Sequence, residues 1–375
     1  MKRMATTPAI TYEDLLQQTH DQYMIFDTRS PKEFEESHIP GSINLPLLSN
    51  EERVIIGILY KQQGREPALK RGFEMIFHKF DTFFSAIQGH TQKQLIIQCW
   101  RGGLRSQLVV DMFLNKDNII QMIKDVGADV PIDAFAKKLD ALPPLQPKQL
   151  VGGYKKYREY VRTKLEQFDY SFQFVVLHGL SCTYKTHLLD QLAKKGYPVL
   201  DLEKMVQHRG SVLGGIGLSP RSQKMVENEM VEQLESWKHA GVPFVFIEGE
   251  SRKVGQFIIP EKLFQRLLSG IPVLVTATDE ERIHLAMNEY FETPEKREGL
   301  KKELPRLTKF LGKQKIDELI QHTDDKHYDE LFRLLFKQYY DVLYNKTLKA
   351  LDFKLTVHWK EIEKLEHFFD RLHKQ

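Results

Sequence analysis

Cys99 follows the apolar run Gln94-Leu95-Ile96-Ile97-Gln98 and opens Cys99-Trp100-Arg101-Gly102-Gly103-Leu104-Arg105-Ser106. The pattern predicts a buried strand ending on the sulfur, a glycine-rich turn, and a helix through Gln107 to Leu114. The N–H groups of such a loop point inward, and the dipole of the following helix favours negative charge there. A free cysteine titrates at about 8.5, and this setting lowers it by one to several units, so a thiolate is expected at neutral pH. The loop amides and Arg105, with Arg101 as a further candidate, would form a cradle for an anion beside this nucleophile.

A second chemical cluster begins where the strand-like Phe172–His178 runs into Gly179-Leu180-Ser181-Cys182-Thr183-Tyr184-Lys185-Thr186. Strand, loop, Lys-Thr and an amphipathic helix are the context of a phosphate-binding P-loop, with Tyr184 at the position of its second glycine. Gly179, Lys185 and Thr186 are therefore read as a phosphate or diphosphate site. Val199-Leu200-Asp201-Leu202-Glu203 reads as another strand, followed by the basic, glycine-rich His208-Arg209-Gly210-Ser211-Val212-Leu213-Gly214-Gly215. Pro243–Glu248 predicts an apolar strand that delivers carboxylates to its end in Glu248-Gly249-Glu250-Ser251-Arg252-Lys253. Asp201, Glu248 and Glu250 are the candidate magnesium ligands, and Arg209 and Arg252 are candidate bidentate contacts to phosphate oxygens.

Elements that would position these groups are legible on either side. Tyr23–Asp27 predicts a buried strand ending in Asp27-Thr28-Arg29-Ser30-Pro31, which carries turn and helix-start signals. His38-Ile39-Pro40-Gly41-Ser42-Ile43-Asn44 predicts a turn and a short strand, with His38 fixing the turn. Strands alternating with helices predict an α/β fold with parallel sheets and reactive loops at the carboxyl ends of strands. Two domains are expected, over residues 8–165 and 170–375. Ile271–Ala277 predicts a further strand, and most of Asp279–Gln375 reads as helical. Asp117–Lys148, with four prolines, reads as an embellishment. The chain has 375 residues, 41% of them hydrophobic, enough for two cores, and a net charge of +3 that neither demands nor excludes a nucleic-acid partner. Two cysteines make no disulfide framework, and no run approaches a membrane span of roughly 18 residues, so a cytoplasmic enzyme is expected.

Asp27-Thr28-Arg29-Ser30-Pro31-x-Glu33-Phe34, His38-Ile39-Pro40-Gly41-Ser42-Ile43-Asn44 and the cysteine loop together resemble the rhodanese domain. In that family the loop cysteine carries a persulfide or another chalcogen. Cys99 and Arg105 stand as Cys-x5-Arg, the spacing of cysteine-dependent phosphatases, although Gln98 occupies the place where those enzymes usually have histidine. Adding Asn44-Leu45-Pro46, Tyr60-Lys61-Gln62-Gln63-Gly64, Gly152-Gly153-Tyr154-Lys155, Asp201-Leu202-Glu203, His208-Arg209-Gly210-Ser211, Ser222-Gln223-Lys224 and Glu248-x-Glu250-Ser251-Arg252, the chain resembles bacterial tRNA 2-selenouridine synthases to about residue 300. The resemblance implies a rhodanese-like domain followed by a P-loop NTPase-like α/β domain with a helical C-terminal part. It also implies exchange of sulfur for selenium in a wobble 2-thiouridine of tRNA. Selenophosphate would supply the selenium, and an S-geranyl intermediate would form from geranyl diphosphate. Cys182 and Tyr184 replace glycines of the family's usual loop. Candidate tRNA contacts are Lys155, Lys156 and Arg158 with the neighbouring tyrosines, and Tyr60-Lys61 with Arg65, Lys70 and Arg71. A rhodanese-fold phosphatase and a non-catalytic tRNA-binding protein with a decayed P-loop are the alternatives.

Overall fold

The computed structural model describes residues 7–19 and 21–372. It divides into two compact units, one running through Thr163 and one beginning at Lys164. Each is built on a five-stranded, all-parallel sheet. Among the described residues, no helix is long and apolar enough to cross a membrane.

The first unit orders its strands β1-β5-β4-β2-β3, where β1 is Ala9–Ile10, β2 Tyr23–Asp27, β3 Ile43–Asn44, β4 Gln94–Gln98 and β5 Lys148–Leu150. The central strands β2 and β4 are continuous apolar runs because helices cover both faces of a parallel sheet. Past the end of β2, Arg29 folds back on Asp27 in a buried ion pair, its Nη2 2.6 Å from Asp27 Oδ2, with both side chains at most 2% exposed. Arg29 also donates to the Ser37 carbonyl at 2.8 Å, and Asn44 donates to the carbonyls of Asp27 and Arg29 at 3.0 and 2.9 Å. Thr28 donates to the Gln98 carbonyl through both its amide and its hydroxyl, each at 2.9 Å. Two strand ends are thereby clamped one residue before Cys99.

His38 holds the turn: its Nδ1–H donates to the Phe34 carbonyl at 2.9 Å while its ring stacks on Phe34 at 3.9 Å. The 117–148 stretch is more than an embellishment. Helices Lys116–Asp125 and Ile132–Asp140 bury Ile119, Ile123, Phe135 and Leu139 in the main core of the unit.

The second unit orders its sheet β12-β11-β6-β8-β7, with β6 at Gln173–His178, β7 at Val199–Leu200, β8 at Phe244–Glu248, β11 at Ile271–Thr276 and β12 at Leu355–His358. A small hairpin, β9 (Lys253–Val254) and β10 (Phe257–Ile258), lies apart from it. The strand expected over Val199–Glu203 stops at Leu200, because the Asp201 side chain accepts the Lys204 amide at 2.8 Å and starts a helix at Leu202. The edge strand β12 interrupts the tail that was expected to be mostly helical. Ser222 caps helix Gln223–Ala240, and the Gln223 amide pins Ile258 of β10 through both its N–H and C=O groups.

Arg29→Ala leaves the Asp27 carboxylate buried without its partner. The expected loss is about 3–5 kcal/mol from the first unit, read as a lower urea midpoint for the transition that exposes the Tyr154 environment in near-ultraviolet circular dichroism.

Candidate active site

Cys99 follows β4 directly and is 3% exposed. Its sulfur accepts the Gly103 amide at 3.2 Å and lies 3.2 Å from the Ser106 hydroxyl, so helix Leu104–Leu114 starts directly against it. Ser106 donates to the Gly103 carbonyl, and the Gln149 amide of β5 reaches both Ser106 Oγ and that carbonyl, at 2.8 and 3.0 Å. The loop is held from its other side by the turn at Gly152-Gly153. The amides of Tyr154 and Lys155 donate to the carbonyls of Cys99 and Trp100 at 2.9 and 2.8 Å. Gly153 sits at φ +55°, and a Cβ there would collide with the Cys99 carbonyl oxygen, so only glycine fits. Tyr154 completes the support, with the Arg29 guanidinium 3.9 Å above its ring and Trp100 beside it.

Arg105 lies in the first turn of the helix and pairs with Glu33 at 3.2 Å, and Glu33 also holds Arg53 at 2.8 Å. Burial opposes the charge on Glu33, but Arg105, the Ser30 amide and Arg53 outweigh it and keep its carboxyl below the usual range. Arg105 is thus a guanidinium already committed to a carboxylate, and Arg101 is exposed.

In the second unit the loop from Gly179 to Tyr184 precedes helix Lys185–Lys194. Lys185 Nζ donates to the carbonyls of Gly179 and Leu180 at 3.4 and 3.1 Å, and Thr186 donates to Glu203 at 3.1 Å. Cys182 and Tyr184 take left-handed backbone conformations, φ +60° and +63°, at the two positions where glycine was expected. Such conformations cost a side-chain-bearing residue of order 1–3 kcal/mol and persist only where surroundings hold them. Tyr184 is held by its side chain, stacked on Trp359 at 4.0 Å and donating to the Glu281 carbonyl at 3.1 Å. Cys182, only partly buried, packs against the helical core and lines the loop's cavity, and desolvation pushes its thiol above the ordinary range.

The loop lines a cavity of about 260 Å³ together with Glu203, Arg209, Glu250, Glu289 and Tyr344. Phe336 and Tyr340, also on its wall, belong to a π-helical turn, Phe336–Tyr340, inside the long helical stretch from Tyr328 to Leu348. Next to it lies a mainly apolar cavity of about 410 Å³, lined by Phe264, Leu267, Leu268, Leu343 and Leu348, which shares Glu250 and Tyr344 with the first. Burial, reinforced by Glu203, raises Glu250 to about 8 against the pull of Lys185, and burial raises Asp201 to about 6. Glu203 is raised by the same burial, and Glu248 far more, with Asp201, Glu203 and Glu250 repelling its charge.

Both halves match known families. Residues 11–126 match the rhodanese-like domain, and residues 172–374 match the tRNA 2-selenouridine synthase AAA domain. The chain belongs to the tRNA 2-selenouridine synthase family. A tRNA 2-selenouridine synthase of Nitrosomonas eutropha is 31% identical over 71% of this chain and 62% of its own length. One from Marinobacter nauticus is 32% identical over 72% of the chain and 65% of its length. One from Shewanella woodyi is 25% identical over 97% of the chain and 98% of its length. The chain thus spans less than two thirds of the first two.

The structure places several of the candidate residues in other roles. Arg252 is 54% exposed and pairs with Glu261 at 2.6 Å; it lines the adjoining apolar cavity rather than the loop cavity. Arg209 does line that cavity, yet it is tied to Glu289 at 3.4 Å and donates to the Ile216 carbonyl at 3.0 Å. Asp201, Glu248 and Glu250 do not converge as metal ligands. Asp201 caps its helix, Glu248 accepts the Glu203 amide at 2.6 Å, and no group of three or more such donors among the described residues could hold a metal ion. Glu203, which touches Thr186, is the carboxylate missing from the candidate set. Arg158 is only 9% exposed, and Tyr154 and Tyr157 are core residues rather than platforms for bases. Lys155 and Lys156 face solvent, as do Tyr60, Lys61, Arg65, Lys70 and Arg71. Arg282, absent from the candidates, is 2% exposed, grips Asp341 through both Nη atoms at 3.0 and 2.6 Å, and donates to the Ser181 carbonyl of the loop.

The raised carboxyls of Asp201 and Glu250 set the sign of a pH effect. Carboxyls raised on folding contribute stability that is complete below their unfolded values, 3.8 for Asp201 and 4.5 for Glu250, and is lost as pH climbs through about 6 and about 8. The second unit is therefore expected to melt at progressively lower temperature from pH 5 to pH 9, and Glu250→Gln to flatten the upper part of that fall in a calorimetric series.

Proposed function

We propose that the chain replaces the sulfur of a wobble 2-thiouridine in tRNA by selenium, with selenophosphate as selenium donor and S-geranyl-2-thiouridine, made from geranyl diphosphate, as intermediate. The observation that carries this reading is the pair of adjoining cavities at the Lys185 loop: one polar, with Lys185 and Thr186, and one apolar, joined through Glu250 and Tyr344. A prenyl diphosphate has that same division into an anionic head and a hydrocarbon tail. In the geranyl transfer, the thiocarbonyl sulfur forms a bond to the first carbon of the geranyl group as the carbon–oxygen bond breaks, and the N3 proton of the base is released to solvent. The departing diphosphate carries the electron pair, and Lys185 with the loop amides stabilises that charge.

Cys99 is the proposed chalcogen-handling nucleophile of the other half-reaction. The Gly103 amide donates to its sulfur, and helix Leu104–Leu114 begins beside it. Arg105 serves an anion there only after it exchanges Glu33 for the substrate. No step is assigned to magnesium. A tRNA substrate implies the cytoplasm as the place of action.

Cys99→Ser is expected to abolish selenouridine in a nucleoside digest analysed by mass spectrometry while tRNA affinity stays near wild type. Wild-type selenouridine from that variant would overturn the assignment. Turnover of an aryl phosphate that needs Cys99 and Arg105 but no tRNA would mark a phosphatase, and tRNA affinity without any modification a binding module.

Lys185→Ala is expected to remove geranylation yet spare selenium transfer onto tRNA supplied already geranylated. Equal loss of both steps would assign the loop to folding or tRNA docking instead.

A further inference from the structure

The glycine-rich loop that follows Gln207 has a second cavity on its other side. This cavity, about 590 Å³, is lined by His208, Ser211, Lys253, Gln256, Lys302 and Arg306 among others, and it shares Ser211 and Leu213 with the cavity of the Lys185 loop. We propose that it is a second phosphate site, one that takes a backbone phosphate of the polynucleotide being modified, a reading that rests on the tRNA substrate proposed above.

The two cavities differ in charge. The Lys185 cavity sets Lys185 and Arg209 against four carboxyl groups, Asp190, Glu203, Glu250 and Glu289. The second has Lys253, Lys302 and Arg306 against one carboxylate, Glu303, which pairs with Arg306 at 2.5 Å. Lys253 and Lys302 are both exposed, and neither makes an ion pair among the described residues. They stand on different elements, the start of β9 and helix Pro294–Glu303, so they face the opening from separate walls.

His208 is built into the cavity rather than merely near it. Its ring fills the space over two glycines: a Cβ on Gly255 would lie 2.6 Å from ring Cγ, and one on Gly215 3.3 Å from Cδ2. Its Nδ1 is buried without a hydrogen-bond partner. Burial, with Arg209 and Arg306, holds its pKa below the usual histidine value. A neutral ring with one N–H, two unpaired ammonium groups and the amide of Gln256 together make a donor-rich surface for a phosphodiester, which needs hydrogen-bond donors and positive charge but only one negative charge neutralised per phosphate. Because Ser211 and Leu213 face both cavities, the acceptor's backbone and the donor's diphosphate would be held on opposite faces of one loop.

The test uses the full chain, an unmodified tRNA transcript and filter binding between 50 and 200 mM potassium chloride. Lys253→Ala with Lys302→Ala is expected to lower the slope of log affinity against log salt by about two, and equally for matched and unmatched tRNAs, because phosphate contacts carry no sequence information. Inorganic pyrophosphate, titrated by calorimetry against the same variant, should bind as it does to the wild type. Lys253→Arg with Lys302→Arg, which keeps both charges, should restore the slope. An unchanged slope in the alanine variant overturns the site, as does loss of pyrophosphate binding together with tRNA binding. A wild-type chain with no affinity for tRNA overturns both this site and the function it rests on.

Discussion

The first unit depends on one close approach of two backbones. The turn at Gly152-Gly153 delivers two helix N-terminal amides onto the carbonyls of Cys99 and Trp100, at a separation that excludes even a methyl group. From the opposite side, Thr28 fixes the Gln98 carbonyl, and the Arg29–Asp27 pair fixes Thr28. The sulfur is thus mounted between three strand ends and one helix start, each tied to the next by backbone hydrogen bonds. That mounting explains why residues with no chemistry of their own, Thr28, Asn44, Gln149 and Gly153, surround the one residue that has it. A nucleophile held this way loses little order when an anion arrives.

The second unit solves a different problem. Its phosphate loop adopts left-handed turns without the glycines that make them easy, and it does so by borrowing support from distant parts of the chain. Trp359 holds the Tyr184 ring, and Arg282, buried and clasped by Asp341, holds the Ser181 carbonyl. With Tyr184 drawn against Trp359, its ring is accounted for within the fold, and the space beside Lys185 and Thr186 forms part of the polar cavity. Of the carboxyls around it, Glu203, Glu250 and Glu289 are shifted toward the neutral form, so the cavity is less negative at neutral pH than its composition implies.

How far the sequence revealed this structure differed by element and by residue. Buried parallel strands are written as unbroken apolar runs, so β2, β4, β6, β8 and β11 were legible to within a residue or two. The edge strand Leu355–His358 was not, because half of it is polar and it pairs on one side only. The helices at Lys116–Asp125 and Ile132–Asp140 had a visible signal, Ile119 with Ile123 and Phe135 with Leu139 at helical spacing, hidden by Pro131 between them and the three prolines that follow. At the site, Cys99, Lys185 and Thr186 were legible because loop chemistry is local. Glu203 was overlooked although it stands two residues after Asp201, since a short strand ending at Leu200 and a helix cap reverse which of the two faces the loop. Arg158 misled because positive charge reads the same whether it faces a substrate or lies buried within the protein. Arg282 was illegible for the converse reason: its partners lie on elements remote in sequence.

The stack of Tyr184 on Trp359 also has a consequence for how the molecule is made. Trp359 reaches its place only when β12 has joined the sheet beside β11, the Trp359 amide closing onto the Thr276 carbonyl at 3.0 Å. A ribosome delivers residue 184 long before residue 359. The nascent second unit must therefore wait with its phosphate loop unsettled, and synthesis rather than ligand sets the moment at which that loop first acquires its shape.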